Sequence, residues 1–170
     1  MPDRKIVKFF VSYAHADEDQ SRQFLDGFKE MTAPSKKYEY MFWQDTNILP
    51  GEKWKQEIQQ ALKACSIGLL LISPNFLGSK FISEHELSKF IGSKAKPLVP
   101  VMLKKVNLNR HDLKGLEENQ IFRLRVEGAG NFNSYAQCGS HQKYDFVYEL
   151  FDSVEALLDK TQIRVKSGNA

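Results

Sequence analysis

The sequence has few of the residues that bind metals or form disulfides. It contains two cysteines, Cys65 and Cys138, no CxxC pair, and four histidines that are widely scattered. Zinc sites need closely spaced cysteine and histidine ligands, so this pattern predicts no metal site. We expect Cys65, which precedes an apolar run, to be a buried thiol. Cys138 lies in a polar stretch with turn residues, and we expect it to be exposed.

The sequence also lacks a strong charge of one sign and a long apolar run. The formal net charge is +3 and the lysines are spread along the chain, which argues against direct binding of nucleic acid or an anionic membrane. The stretch SIGLLLISPNF is far shorter than the roughly 20 apolar residues of a membrane span. The start, MPDRKIVKFF, has no apolar segment or cleavage site of a signal peptide. We therefore expect a cytoplasmic protein.

Strand-like and helix-like segments alternate along the 170 residues, a length that suits one domain. The predicted strands are residues 5–14, 38–43, 66–72, 97–103 and 121–126, and the predicted helices are residues 17–31, 52–65, 81–93 and 144–160. This alternation predicts an α/β, flavodoxin-like three-layer fold: a five-stranded parallel sheet of order 2-1-3-4-5 with helices on both faces. Pro100 predicts an irregularity or a position near the sheet edge. The domain should cover residues 1–160, with 161–170 as a flexible tail.

Ligands of an open parallel sheet bind outside the carboxyl ends of its strands. The loops expected there, SYAHADED, WQDTNILPG and SPNFLGS, contain no GxGxxG motif and no Walker phosphate loop. Three acidic residues, Asp17, Glu18 and Asp19, would repel a phosphate in a flavodoxin-type loop. A response-regulator receiver needs an aspartate after the third strand, where Ser73 and Pro74 stand instead. These common occupants of such a crevice are therefore excluded on chemistry.

A pair of glutamates, Glu84 and Glu86, stands in the stretch SKFISEHEL after the third predicted strand. Ser83-x-x-Glu86 fits a capping box, in which the glutamate satisfies a backbone donor at a helix start. The same carboxylate in a cleft would be a catalytic candidate. The pattern alone leaves both interpretations open, and Glu84 is expected to be solvated.

Three segments together resemble the conserved boxes of TIR (Toll/interleukin receptor) domains. These are FFVSYAHADED, FWQDTNILPGEKW and SIGLLLISPNFLGSKFISEHEL, which span residues 8–87 in the family's order. The spelling is most similar to bacterial TIR domains, so residues 1–160 are expected to form a TIR domain. The resemblance implies one of two activities: assembly with other TIR domains as an adaptor, or cleavage of the nicotinamide–ribose bond of NAD+.

The resemblance also implies the site residues. The catalytic glutamate of the family matches Glu86. Many members have a tryptophan four residues earlier, where Ile82 follows Phe81 here, so Glu84 is the second candidate. The expected substrate-binding residues are Ser12, Tyr13, Ala14, Trp43, Asp45, Phe81 and Ile82. The expected interaction loop, the BB loop of the family, contains Asp45, Ile48, Leu49, Pro50 and Gly51.

One carboxylate is chemically sufficient for this reaction. Ordinary glycosidases need a second carboxylic acid to protonate the leaving group, whereas the pyridinium of NAD+ leaves as neutral nicotinamide. The resemblance thus implies NAD+ as the substrate, with no cofactor, and ADP-ribose or a cyclic isomer as the product. The expected partners are other TIR domains and a fused or separate sensor domain. The expected role is in bacterial antiphage defence. The alternative is a non-catalytic adaptor, or a mimic of host signalling, that works through exposed Ile48 and Leu49.

Overall fold

The chain folds as an α/β domain around a parallel sheet, as a computed structural model shows. The structure describes residues 3–44, 65–78, 97–116, 120–126 and 131–168, with side chains up to residue 160. Its strands are β1 (Lys5–Ser12), β2 (Tyr38–Gln44), β3 (Ile67–Ile72), β4 (Leu98–Met102), β5 (Leu124–Val126) and β6 (Asn131–Asn133). Its α-helices are α1 (Glu18–Thr32), α2 (Pro74–Leu77) and α3 (Ser140–Gly168), and 3-10 turns cover His15–Asp17 and Tyr135–Gln137.

The described sheet has the strand order β2-β1-β3-β4, and all three pairings are parallel. Strand β1 is central, with Phe10 beside Trp43 of β2 and Ser12 beside Leu70 of β3. Every residue of β3 is buried, as expected for a continuous apolar strand that is covered on both faces. The prediction of an α/β fold with a parallel sheet is confirmed.

Alternate side chains of the strands point to two separate cores. On the first face, Phe9, Leu69 and Val101 pack with the apolar stripes of α1 and α3. The stripe of α1 consists of Phe24, Leu25 and Phe28, and that of α3 consists of Phe146, Val147, Leu150, Val154 and Leu158. On the second face, Leu70 and Ile72 pack with α2 and with the segment 102–121. The predicted helices 52–65 and 81–93 lie outside the described residues, apart from Cys65, which is buried as predicted.

The predicted fifth strand is not confirmed. Phe122 forms a single parallel bridge with Val101, and the chain then pairs β5 with β6 in an antiparallel hairpin. Phe122 donates its N–H to the Pro100 carbonyl (2.7 Å) and accepts from Met102 N–H (2.9 Å). The backbone N and O of one strand residue point to the same side, so the nitrogen of Pro100 faces the place of a fifth strand. Because proline has no N–H, this ladder cannot extend from Phe122 back toward the start of β4. The prediction that Pro100 lies near the sheet edge is confirmed for the described sheet.

Two loops have more structure than their composition predicted. The segment SPNFLGS contains the one-turn helix α2, whose first turn is capped by Ser73. The glycine- and asparagine-rich stretch after residue 126 contains β6 and a 3-10 turn. That turn buries Cys138, which is 5% exposed, and its thiol contacts the carbonyl of Ser134 at 3.3 Å. The expectation of an exposed Cys138 is therefore wrong.

Helix α3 is longer than predicted and reaches Gly168. The domain boundary at residue 160 and the flexible tail stay predictions. Among the described residues, no helix combines the length and the hydropathy that a membrane span requires.

Carboxylates of α3 hold the edge strand β2. Tyr40 donates its hydroxyl to Glu155 in a short hydrogen bond, and Ser35 donates to the same carboxylate at 2.9 Å. Tyr38 donates to Asp159 at 2.6 Å. Burial first, and then the bond to Glu155, raise the pKa of Tyr40 far above its ordinary value. The phenol therefore stays a donor at all physiological pH values, and β2 is fixed to the helix.

We expect Tyr40→Phe to lower the free energy of unfolding by about 1–2 kcal/mol, because it removes a donor from a partly buried carboxylate. Denaturant unfolding followed by circular dichroism measures the change. The matched control is Tyr148→Phe on the exposed side of α3, where the side chain is 56% exposed and little change is expected. Equal stability of the Tyr40 variant and the native protein would contradict this account.

Candidate active site at the carboxyl ends of the strands

The carboxyl ends of β1 and β2 bring three predicted site residues to one face of the sheet. Side chains alternate along a strand, so Ser12 points to the same face as Phe10. Trp43 lies opposite Phe10 in register and stacks on its ring, with centroids 5.0 Å apart and planes 16° apart. Ala14 packs against the core of the second face. Ser12, Ala14 and Trp43 therefore share the second face at its carboxyl edge.

Tyr13 lies apart from this group. Its side chain is buried in the core of the first face, with the stripes of α1 and α3. Trp43, in contrast, is only partly buried, and the fully buried Phe10 fixes the plane of its indole. Of the three aromatic residues expected to bind substrate, Tyr13 lies in a core, Phe81 lies outside the described residues, and Trp43 is partly exposed at the edge. A large aromatic face held in place by a buried neighbour offers a flat ring such as nicotinamide or adenine an oriented contact.

A buried carboxylate, Asp17, joins three loops at the same edge. Asp17 is 1% exposed and follows β1 in the 3-10 turn. Ser73, directly after β3, donates its hydroxyl to Asp17 in a short hydrogen bond, and Asn75 donates its side-chain amide at 2.9 Å. Lys104, after β4, places Nζ 2.8 Å from the carboxylate. These four residues, Asp17, Ser73, Asn75 and Lys104, are called the rim cluster below.

The electrostatics of the rim cluster favour ionised Asp17. Burial alone would raise the pKa of this carboxyl, but hydrogen bonds from Lys104, Ser73 and Asn75, with the charge of Lys104, outweigh burial and lower the pKa. The sequence suggested an acidic loop that repels phosphate. In the structure the Asp17 carboxylate is directed inward, and its charge is paired with Lys104 instead of facing the crevice alone.

Ser73 has two functions in the rim cluster. Its hydroxyl oxygen accepts the N–H of Phe76 at 3.0 Å as the cap of α2, while its hydrogen goes to Asp17. Pro74 at the first helical position fits this start, because its missing N–H has no partner in a first turn. The start of the segment after β3 is thereby fixed to the loop after β1. Sequence reasoning missed this link, although Ser73-Pro74 is a recognisable helix start.

Most of the predicted site lies outside the described residues. This holds for the two glutamates, Glu84 and Glu86, for their neighbours Phe81 and Ile82, and for the whole predicted interaction loop. The members of that loop are Asp45, Ile48, Leu49, Pro50 and Gly51. Their roles stay predictions. Within the described ranges, no group of three histidine, cysteine, aspartate or glutamate side chains is arranged to hold a metal ion.

Comparison with known families agrees with the geometry of this edge. A family model described as TIR domain matches residues 9–137, which include the carboxyl half of β1, the rim cluster and both glutamates. No curated protein matches the chain.

We expect Asp17→Asn to lower the free energy of unfolding at pH 7 by roughly 1–3 kcal/mol, because it removes the buried charge that Lys104, Ser73 and Asn75 satisfy. The folded pKa of Asp17 is below its ordinary value of 3.8, so the native protein prefers the ionised form. This stabilisation is complete above the ordinary pKa and is lost as the pH falls through the lowered folded value. The difference between native protein and variant should therefore shrink below about pH 4.

Urea unfolding at several pH values measures this difference. The matched control is Asp112→Asn, at an exposed carboxylate 3.6 Å from Lys114 Nζ. The Lys114 N–H lowers the pKa of Asp112 as well, so the pH trend has the same sign, but its size should be much smaller because solvent screens this carboxylate. An Asp17 variant as stable as the native protein at pH 7, or a difference that does not depend on pH, would contradict the account.

Proposed function

Because the chain belongs to the TIR domain family, we propose that it cleaves the nicotinamide–ribose bond of NAD+. The observation that carries this proposal is the family match over residues 9–137. This range contains Glu86, the residue that the resemblance matches to the glutamate of NAD-cleaving members. The partly exposed indole of Trp43 and the ordered loops after β1 and β3 support a ligand site at this edge. The location in the cytoplasm and a role in bacterial immune signalling belong to the same proposal.

The proposed reaction needs one carboxylate and no cofactor. The bond between C1′ of the ribose and the pyridinium nitrogen breaks, and its electron pair leaves with nicotinamide, which becomes neutral. Ionised Glu86 stabilises the positive charge that develops on the ribose ring. Water then attacks C1′ and releases a proton to give ADP-ribose, or a nucleophile of the same molecule closes a cyclic isomer. Trp43 contributes a face on which one of the two base rings stacks.

Self-association is part of the proposal. A predicted loop with two consecutive aliphatic residues, Ile48 and Leu49, is typical of a contact surface, and TIR domains bind other TIR domains. Assembly would activate the site, with a fused or separate sensor domain as the trigger. The second candidate function, a non-catalytic adaptor, rests on the same loop and predicts assembly without NAD+ turnover.

We expect the native protein to release nicotinamide from NAD+ when it is concentrated or crowded, and Glu86→Gln to reduce this release at least 100-fold, the scale of removing one electrostatic stabiliser from an active site. Chromatographic measurement of nicotinamide gives the rate. Glu84→Gln is the matched control, because it removes the same charge two residues away, and it should retain turnover.

The two variants also separate the alternatives. Loss of activity in Glu84→Gln with retention in Glu86→Gln would move the catalytic role to Glu84. Equal activity of the native protein and both variants would overturn the single-glutamate mechanism. No turnover by native protein that has been shown to assemble would favour the adaptor, whose assembly should be lost in Ile48→Asp.

A further inference from the structure

A groove lies between the edge strand β4 and helix α3, away from the candidate active site. Its volume is about 430 Å³, within the usual range of small-molecule sites. The wall is largely apolar and includes Leu98, Val99, Phe132, Leu150, Val154 and Leu157. The groove reaches the first residues of β4, whereas the rim cluster stands beyond the carboxyl ends of the strands. A ligand here would therefore not be the substrate of the candidate site.

The sequence explains why this groove is open. Pro100 offers no N–H to a fifth strand, and Phe122 already uses the Pro100 carbonyl and the Met102 N–H. The described ladder therefore does not extend from Phe122 toward the start of β4, and beyond Phe122 the chain forms the β5–β6 hairpin. A strand at this position would cover the start of β4 and the facing side of α3. In the part of the chain that the structure describes, no strand lies there, and these apolar side chains line a groove.

One side chain gives the groove a charge. Of the described residues that line it, Arg123 is the single charged one. Its guanidinium lies 4.3 Å from the ring centroid of Phe132, which is itself 44% exposed. Stacking on the ring restricts the guanidinium and leaves its N–H donors, which lie in the guanidinium plane, available at the edge. Such a fork matches a carboxylate, with which it forms two parallel hydrogen bonds.

We propose that this groove binds a small amphipathic carboxylate, with its apolar body between β4 and α3 and its head on Arg123. Charge complementarity favours an anionic ligand, because the described lining residues include one cation, Arg123, and no carboxylate. A partner strand is disfavoured as the occupant. Strand addition needs a row of free backbone donors and acceptors, and at this edge Pro100 has no donor while Phe122 occupies the next groups.

The test uses three probes with the same ten-carbon tail: decanoate, decanol and decylamine. Isothermal titration calorimetry on the native chain, below the concentrations at which the probes form micelles, should show one decanoate site per chain. Decanol should bind more weakly and decylamine most weakly. Arg123→Met should weaken decanoate binding roughly tenfold and remove the preference for decanoate over decanol. Arg125→Met, an exposed arginine of β5 outside the groove lining, is the matched control and should bind like the native chain.

A second variant tests the location. Ser153→Trp places a large ring on an exposed lining position of α3 and should abolish decanoate binding without altering the circular dichroism spectrum. The proposal is overturned if decanoate binding does not saturate or if decanoate, decanol and decylamine bind equally. It is also overturned if Arg123→Met or Ser153→Trp binds decanoate like the native chain. It is also overturned if a second chain occupies the groove. Sedimentation would then show a dimer that Ser153→Trp abolishes and that decanoate does not dissociate. None of these measurements depends on NAD+ turnover.

Discussion

The buried carboxylate of Asp17 is the interaction on which the candidate site depends. A charge with this little exposure is tolerated only when hydrogen bonds and an opposite charge replace its water. Ser73, Asn75 and Lys104 supply these, and they come from the chain that follows β3 and β4. The need to satisfy one carboxylate thus fixes the loop after β1 against the loops after its neighbours. An edge built from three separate loops is thereby given a defined shape.

The two edges of the described sheet differ in the contacts that their strands make. At one edge, β2 carries Tyr38 and Tyr40, whose hydroxyls donate to carboxylates of α3. At the other, Phe122 forms a single bridge and Pro100 offers no N–H to extend it toward the start of β4. The first arrangement orders the strand that carries Trp43 near its carboxyl end and leads into the predicted interaction loop. The second leaves a groove on the far side of the domain. The two proposed ligand sites therefore lie on separate surfaces of the same sheet.

The strong periodic signals of the sequence predicted the core of this fold correctly. The apolar run 66–72 became the fully buried β3, and the spacing of Phe24, Leu25 and Phe28 became the buried stripe of α1. The failures occurred where a single backbone group or a distant contact decides the outcome. Part of IFRLRV does form a strand, but Phe122 makes a single bridge to β4 and β5 then pairs with the later strand β6. Cys138 stands among polar residues, yet the 3-10 turn before it directs its thiol inward.

In the candidate site, too, the features set by sheet topology were predictable, and those set by distant contacts were not. Loop positions after β1, β2 and β3 follow from the topology of a parallel sheet, so Ser12, Ala14 and Trp43 were expected at one edge. Tyr13 was grouped with them because it is adjacent in sequence, but alternation along the strand sends its ring to the opposite core. The hydrogen bonds of Asp17 join residues 56 and 58 positions apart. No local pattern reports such a contact, because it arises only when the strands lie side by side.

The proposed binding of NAD+ at the edge that presents Trp43 can be tested through the fluorescence of this indole. The sequence contains two tryptophans, Trp43 and Trp54, so Trp54→Phe leaves the indole of Trp43 as the only tryptophan signal. The most direct measurement is a fluorescence titration of this variant with NAD+, combined with Glu86→Gln to prevent turnover. The account predicts a saturable change of Trp43 emission, and no comparable change when Trp43→Phe leaves Trp54 as the reporter. Unchanged Trp43 emission at NAD+ concentrations that support turnover by the native protein would contradict it.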